Sequence, residues 1–201
     1  MCEGRVAVPV FPVFLKLEGR LVVLVGGGRL AAAKLPPLLE AGARVRVVAP
    51  GISDDIAGAP VEIVSRPFQA GDLDGACYVV AAGPRDVNAE VAREAAARGL
   101  FVNAVDDVEN ASAYAGAIVR RAGVTVAIST DGEAPALAGL LREGLEAVLP
   151  DDLEAWMACA RDTRRNWLRD RVPMERRRPL LLAALVDLYR ERAADTPGSV
   201  R

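Results

Sequence analysis

The sequence predicts an α/β protein with a doubly wound parallel sheet, followed by a small α+β element and a helical C-terminal region. Three observations carry that expectation. An apolar run, Val22-Val23-Leu24-Val25, feeds straight into Gly26-Gly27-Gly28 and an alanine-rich segment. Strand-like and helix-like segments then alternate as far as residue 105, as a sheet wound with crossover helices requires. Beyond Asp106 the pattern changes to two neighbouring strand-like runs and then long amphipathic stretches.

Residues 21–25 read as the first strand, and a helix over 31–41 follows the glycine turn. The second strand, 44–49, comes after Gly42 at the spacing of a right-handed βαβ unit. A third strand over 61–64 alternates only in part, and a polar connection leads to Asp74. Residues 77–82 are continuously apolar, as in a strand covered on both faces, and end sharply at Gly83-Pro84. A helix over 87–98 closes at Gly99, and 100–105 form the next strand. Residues 117–121 and 124–129, separated by Ala122-Gly123, predict an antiparallel hairpin. Pro135 then opens a helix bearing Leu137, Leu140, Leu141, Leu145 and Val148. A helix over 151–169 follows, Pro173 interrupts, a last helix covers 180–192, and residues 193–201 are expected to be disordered. The expected division is 1–111, 112–149 and 150–201.

With 52% hydrophobic and 26% charged residues, the 201-residue chain has the composition of a globular protein, and no apolar run is long enough to span a bilayer. A net charge of −2 argues against nucleic acid as a partner. The arginines clustered between Arg161 and Arg178 read first as a solvated helix face and second as a polyanion-binding surface. Cys2, Cys77 and Cys159 are widely spaced and odd in number, which suggests neither a disulfide framework nor a thiolate metal site. The N-terminal residues lead into a segment interrupted at Pro9 and Pro12 rather than into a signal-peptide core, so a cytoplasmic location is expected. Histidine is absent. Any proton transfer by this chain therefore falls to carboxylates.

The run Gly26-x-Gly28-x-x-Ala31, placed between a strand and a helix, is a dinucleotide fingerprint of the Rossmann type. Its glycines allow a tight turn and close approach of a pyrophosphate, and the helix amides favour the phosphate charge. A plain βα turn is the competing reading, and the second strand at the right spacing favours the dinucleotide.

The landmarks taken together resemble the precorrin-2 dehydrogenase and sirohydrochlorin ferrochelatase family, which includes the N-terminal part of siroheme synthases. The resemblance rests on the stretch from Pro12 to Arg20, the glycine loop with Lys34, the stretch from Leu39 to Ala43, and Val48-Ala49-Pro50. It continues through Val87-Asn88, Asn103-Ala104-Val105-Asp106, Ser112 and the stretch from Ala127 to Pro135. It covers about residues 11–149. It implies oxidation of precorrin-2 to sirohydrochlorin with NAD as hydride acceptor, a homodimer built on the hairpin element, and Fe2+ insertion as a second activity in bifunctional relatives.

Within that resemblance, Asp106 is the expected catalytic carboxylate, and the Fe2+ donor where chelation occurs. Partial burial is expected to bring its pKa into a useful range, and capping of a turn beginning at Asp107 is the competing role. Gly26, Gly27, Gly28, Arg29, Leu30, Pro50, Gly51 and Ala82 are expected to meet the cofactor. Ser129, Thr130, Arg120 and Arg142 are expected at the substrate, although hydroxyls before a proline-started helix equally serve the local backbone. The chain departs from the family pattern at Ala82-Gly83-Pro84-Arg85, where Ala-Thr-Asp is frequent, and at Ala113 and Gly116. Strand two ends in Ala49-Pro50-Gly51 without the usual ribose-binding acid. A non-catalytic dinucleotide-sensing module is the alternative function.

Overall fold

A computed structural model describes residues 10–194. Contacts divide the chain into two compact units. One comprises the residues up to Gly116 together with Ser129–Pro135, and the other comprises Ala117–Ile128 and the residues from Ala136 onward. Residues 112–149, read from the sequence as one element, are thus distributed over both.

The first unit holds a parallel sheet of β1 (Leu21–Val25), β2 (Arg44–Val48), β3 (Glu62–Val64), β4 (Ala76–Ala81) and β5 (Val102–Ala104), in the order β3-β2-β1-β4-β5. The order reverses between β1 and β4, which creates the switch point where open α/β sheets bind ligands. All five residues of β1 are buried, and their alternation divides them between two cores. Val22 and Leu24 pack with Ala31, Leu35 and Leu38 of α1 (Arg29–Ala32) and α2 (Leu35–Glu40), and with Ile56 of α3 (Asp54–Ala57). Leu21, Val23 and Val25 pack with Val91 and Ala95 of α4 (Arg85–Ala96) on the other face. This two-sided cover makes the sheet doubly wound, and each fully buried valine or leucine contributes roughly 1.5–3 kcal/mol.

The helix expected over 31–41 is broken into α1 and α2 at Ala33 and Lys34. Pro36 and Pro37 have no N–H to donate back to the carbonyls of Ala32 and Ala33, so the helix restarts with them in its first turn, where no donor is needed. Two 3-10 turns, Ala70–Leu73 and Val108–Asn110, occupy stretches read as connections. The first is held by a reciprocal cap between Gln69 and Asp72, with the Asp72 carboxylate also gripped by Arg66 at 2.6 and 2.9 Å.

In the second unit β6 (Ala117–Arg121) and β7 (Val124–Ile128) form the expected antiparallel hairpin. Ala122 and Gly123 both have positive φ, at 50° and 81°, the signature of the type I′ turn that suits strand twist. Arg121 ties the hairpin to the end of α5 (Pro135–Val148), donating to the Leu149 carbonyl at 3.0 Å and to Asp151 at 2.8 Å. Between α6 (Leu153–Arg169) and α7 (Met174–Ala194), Trp156 Nε1 donates to Tyr189 Oη at 2.6 Å, and that hydroxyl donates to Asp152 at 3.0 Å. The last helix starts at Met174 rather than at 180 and runs through Pro179. Pro179, the sixth residue of the helix, has no N–H for the carbonyl of Glu175, so one backbone bond of the helix is given up there. Ala194 closes α7; the rest of the expected disordered tail lies outside the described residues.

Candidate functional site

The ends of the central strands are locked together by main-chain bonds. Gly26 donates to Val48 at 3.0 Å, Ala82 to Val25 at 2.8 Å and Val105 to Ala81 at 2.8 Å. The loops after β1, β2, β4 and β5 therefore leave the sheet at one carboxyl edge, and the switch-point crevice opens among them.

The glycine loop is shaped by close approach. Gly26 has φ +130°, and a Cβ there would stand 2.6 Å from the Ala82 carbonyl oxygen. At Gly27 a Cβ would fall 1.8 Å from the Gly51 oxygen, while the Gly27 carbonyl accepts the Ser53 amide at 2.8 Å. These two glycines thus press the loop against the segments after β4 and β2, which brings Ala82, Pro50 and Gly51 beside it. Gly28, by contrast, faces open space. It is the N-cap of α1 and has extended backbone, and two residues past Arg29 the fully buried Ala31 seats α1 on the sheet. A cradle emptied by glycine, flanked by helix amides and based on a small buried residue, fits a pyrophosphate. Arg29 and Leu30 are exposed on the first turn of α1. A groove of about 410 Å³ between α1–α2 and α3 shares Arg29 with the loop and is otherwise lined by residues such as Leu35, Leu39 and Asp55. It contains no residue of the Asp106 turn.

Asp106 follows β5 directly and has φ +55°, in the left-handed region that costs a non-glycine residue energy. It is exposed, which corrects the expected partial burial. The buried carboxylate belongs to its neighbour: Asp107 is only 7% exposed. Asp107 Oδ2 accepts from Asn110 Nδ2 at 2.8 Å, while Oδ1 is buried without a hydrogen-bond partner and has Arg85 Nε 4.0 Å away. The capping position of the 3-10 turn also falls to Asp107 and not to Asp106, and its side chain bonds Asn110 instead of a turn amide. Sequence reasoning passed over Asp107 and Arg85. The Asp-x-x-Asn spacing from Asp107 to Asn110 is the signal that would have found the former.

The chain then folds back on β5. Ser112 and Ala113 both donate to the Val102 carbonyl at 2.9 Å, Ser112 Oγ accepts the Val102 amide, and Asn103 donates to the Ala113 carbonyl at 3.1 Å. The loop Ser129–Pro135 belongs to the same unit. At Gly132, with φ +80°, a Cβ would be 3.0 Å from Val108 and 3.2 Å from Tyr114, so the loop lies against the segment that follows Asp106. Within it, Ser129 Oγ donates to Asp131 Oδ1 at 3.2 Å and accepts the Asp131 amide, and Thr130 Oγ1 accepts the Ala134 amide at 3.3 Å. Both hydroxyls have local work. Arg120 and Arg142 belong to the second unit; Arg142 pairs along its own helix with Glu146 at 2.7 Å and Glu143 at 3.4 Å.

Among the described residues no group of three or more His, Cys, Asp or Glu side chains is gathered as a metal site, and no helix is long and apolar enough to cross a membrane.

Known proteins agree with this geometry. Siroheme synthase 1 of Aeromonas salmonicida is 42% identical over 154 residues, 74% of this chain and 33% of that protein. Siroheme synthase of Photorhabdus laumondii is 45% identical over 147 residues, 71% of this chain and 31% of that protein. The chain therefore spans only about a third of the length of these curated relatives. The solved structure of SirC, a precorrin-2 dehydrogenase, matches 90% of this chain and 92% of its own with a TM-score of 0.71 and 27% identity. Residues 13–117, which contain the sheet, the glycine cradle and the Asp106 turn, match the family described as putative NAD(P)-binding, and the chain belongs to that family.

Proposed function

We propose that the chain oxidises precorrin-2 to sirohydrochlorin with NAD, as part of siroheme formation. The observation that carries the reading is one crevice edge bearing both the glycine cradle and, two strands away, an exposed carboxylate on a strained turn. The similarity to siroheme synthases and to SirC supports this substrate over other hydride donors.

The oxidation removes a hydride and a proton from the tetrapyrrole. NAD, when bound, supplies the hydride acceptor. Gly26 and Gly27 keep the loop flat against its neighbours, and the bare Gly28 admits the pyrophosphate. A carboxylate oxygen of Asp106 accepts the proton, and its exposure leaves it open to a substrate in the crevice. Ser129–Pro135, seated against Val108 and Tyr114, forms the neighbouring wall, where Ser129 and Thr130 meet the substrate once their local bonds yield. In the finer part of the reading, Fe2+ is a second substrate that takes Asp106 as its oxygen donor.

The protein also acts as a homodimer in the cytoplasm. On α5 the apolar residues Leu137, Leu140, Leu141, Leu145 and Val148 are all exposed, Leu140 to 66% and Val148 to 76%, more apolar surface than one helix leaves to water without a partner.

Incubation with precorrin-2 and NAD, following NADH and sirohydrochlorin absorbance, tests the reaction. Asp106→Ala is expected to lose roughly 100-fold or more in kcat while still binding NAD. Near-normal turnover of the folded variant refutes the role of Asp106, and tight NAD binding with no turnover by the parent chain favours a sensing module. Sirohydrochlorin with Fe2+ and no NAD tests chelation, and insertion at the spontaneous rate confines the chain to oxidation.

A further inference from the structure

We infer that Asp107 is a positioning residue, holding Asp106 in its left-handed conformation at the crevice edge. The inference rests on the role proposed for Asp106 and explains how a strained, exposed carboxylate keeps one orientation. A φ of +55° at an aspartate persists only where its surroundings over-determine it. On the N-terminal side the constraint is β5, through the Val105 amide on Ala81 at 2.8 Å. On the C-terminal side it is the return of Ser112 and Ala113 onto Val102. Between those anchors the chain has one buried polar side chain, that of Asp107.

Burying a carboxylate is costly unless it is paired and hydrogen-bonded, yet Asp107 fills one oxygen only. Oδ2 takes the Asn110 amide and so closes the 3-10 turn immediately after Asp106. Oδ1 is left with the Arg85 guanidinium at 4.0 Å, too far for a hydrogen bond. Arg85 is the first residue of α4 and is also bonded to exposed Glu109. It stands three residues after Ala82, whose carbonyl bears on Gly26. The pair Asp107 and Arg85 thereby connects the Asp106 turn to the loop that lies against the glycine cradle. The carboxylate of this pair is buried while Arg85 reaches it from the exposed side at 4.0 Å, next to the turn that carries Asp106.

The test compares Asp106→Asn, Asp107→Ala, Asp107→Asn and Asn110→Ala in the full chain, by steady-state NADH formation and by calorimetric titration of NAD. Asp107→Ala and Asn110→Ala are expected to lower kcat tenfold or more, with the KM and dissociation constant for NAD within twofold of the parent. Asp107→Asn keeps an amide oxygen for Asn110 and is expected to recover most of that loss. A merely structural role would move NAD affinity and kcat together and would show no rescue by asparagine. If Asp107→Ala does not fold, Asn110→Ala carries the same comparison. A kcat within twofold of the parent in Asn110→Ala and in any folded Asp107→Ala, while Asp106→Asn is inactive, overturns the inference alone. A fully active Asp106→Asn overturns it together with the reading beneath it.

Discussion

Gly27→Ala and Gly28→Ala, neighbouring substitutions of the same size, are expected to fail in different ways. At Gly27 the new methyl would lie 1.8 Å from the Gly51 carbonyl oxygen and 2.9 Å from the Ala49 Cβ. The obstacle is backbone, so the segment after β2 must move by more than an ångström. That movement pulls the Ser53 amide away from the Gly27 carbonyl, now 2.8 Å distant. Overpacking of this kind costs about 1–3 kcal/mol, and the lost hydrogen bond adds about 1 kcal/mol. A destabilisation of roughly 2–4 kcal/mol follows, read as a lower urea midpoint at constant slope. At Gly28 a Cβ meets nothing within 4 Å, so only the N-cap preference is lost, about 0.5–1 kcal/mol. NAD affinity in Gly28→Ala should nevertheless fall about tenfold, because the methyl occupies the space left for the pyrophosphate. Calorimetric titration of NAD on both variants, beside urea melts, separates the two effects. A Gly27→Ala protein as stable as its parent, or a Gly28→Ala protein with parental NAD affinity, refutes the reading of the loop.

Other consequences are open to measurement. The Arg66 guanidinium holds the Asp72 carboxyl below the usual carboxylate range, chiefly by hydrogen bonding. A carboxylate with a lowered folded-state pKa adds stability that is complete above its unfolded value near ~3.9 and fades as pH falls through the folded value. Arg66→Gln should therefore raise the midpoint of acid unfolding, and an unchanged midpoint would show that the pair does not contribute. Burial pushes the Tyr78 hydroxyl up to about 12. The unfolded chain ionises first, so stability is full below the unfolded pKa near ~10 and declines as pH rises towards 12. Ultraviolet titration against Tyr78→Phe should place this tyrosine's ionisation above that of an exposed one. Leu140→Asp on α5 should shift the chain from dimer to monomer in light scattering, and an unshifted mass would remove α5 from the interface.

How far the sequence can be read depends on where each element's information lies. The strands were legible because a buried parallel sheet demands unbroken apolar runs, and residues 77–82 differ from β4 only by one position at each end. The hairpin was legible because Ala122-Gly123 breaks two β-branched runs. The glycine cradle could be read too, since its geometry is local: strand, turn and helix succeed one another in the chain. Asp107 was different. The Asp-Asp doublet alone does not say which side chain turns inward; the one local signal is Asn110 three residues on, which bonds Asp107, while Arg85, 22 residues earlier, and the fold-back of Ser112 onto Val102 lie beyond any local pattern. The break between α1 and α2 was written in Pro36-Pro37, and the alanine-rich composition around it outweighed that signal. The local bonds of Ser129 and Thr130 follow from the loop's own conformation, with Asp131 at φ +54°.

The hairpin is, topologically, an insertion. The chain leaves the first unit at Gly116, completes β6 and β7, and returns for Ser129–Pro135 before leaving again into α5. A polypeptide ended at Gly116 would thus retain every parallel strand and still lack the cover over Val108 and Tyr114. Those side chains would meet water beside Asp106, and the turn would lose one of its walls. Trimming the protein to its nucleotide-binding half is therefore not a neutral cut. The shortest faithful version must carry the hairpin along, or replace it with a linker joining residue 116 to residue 129.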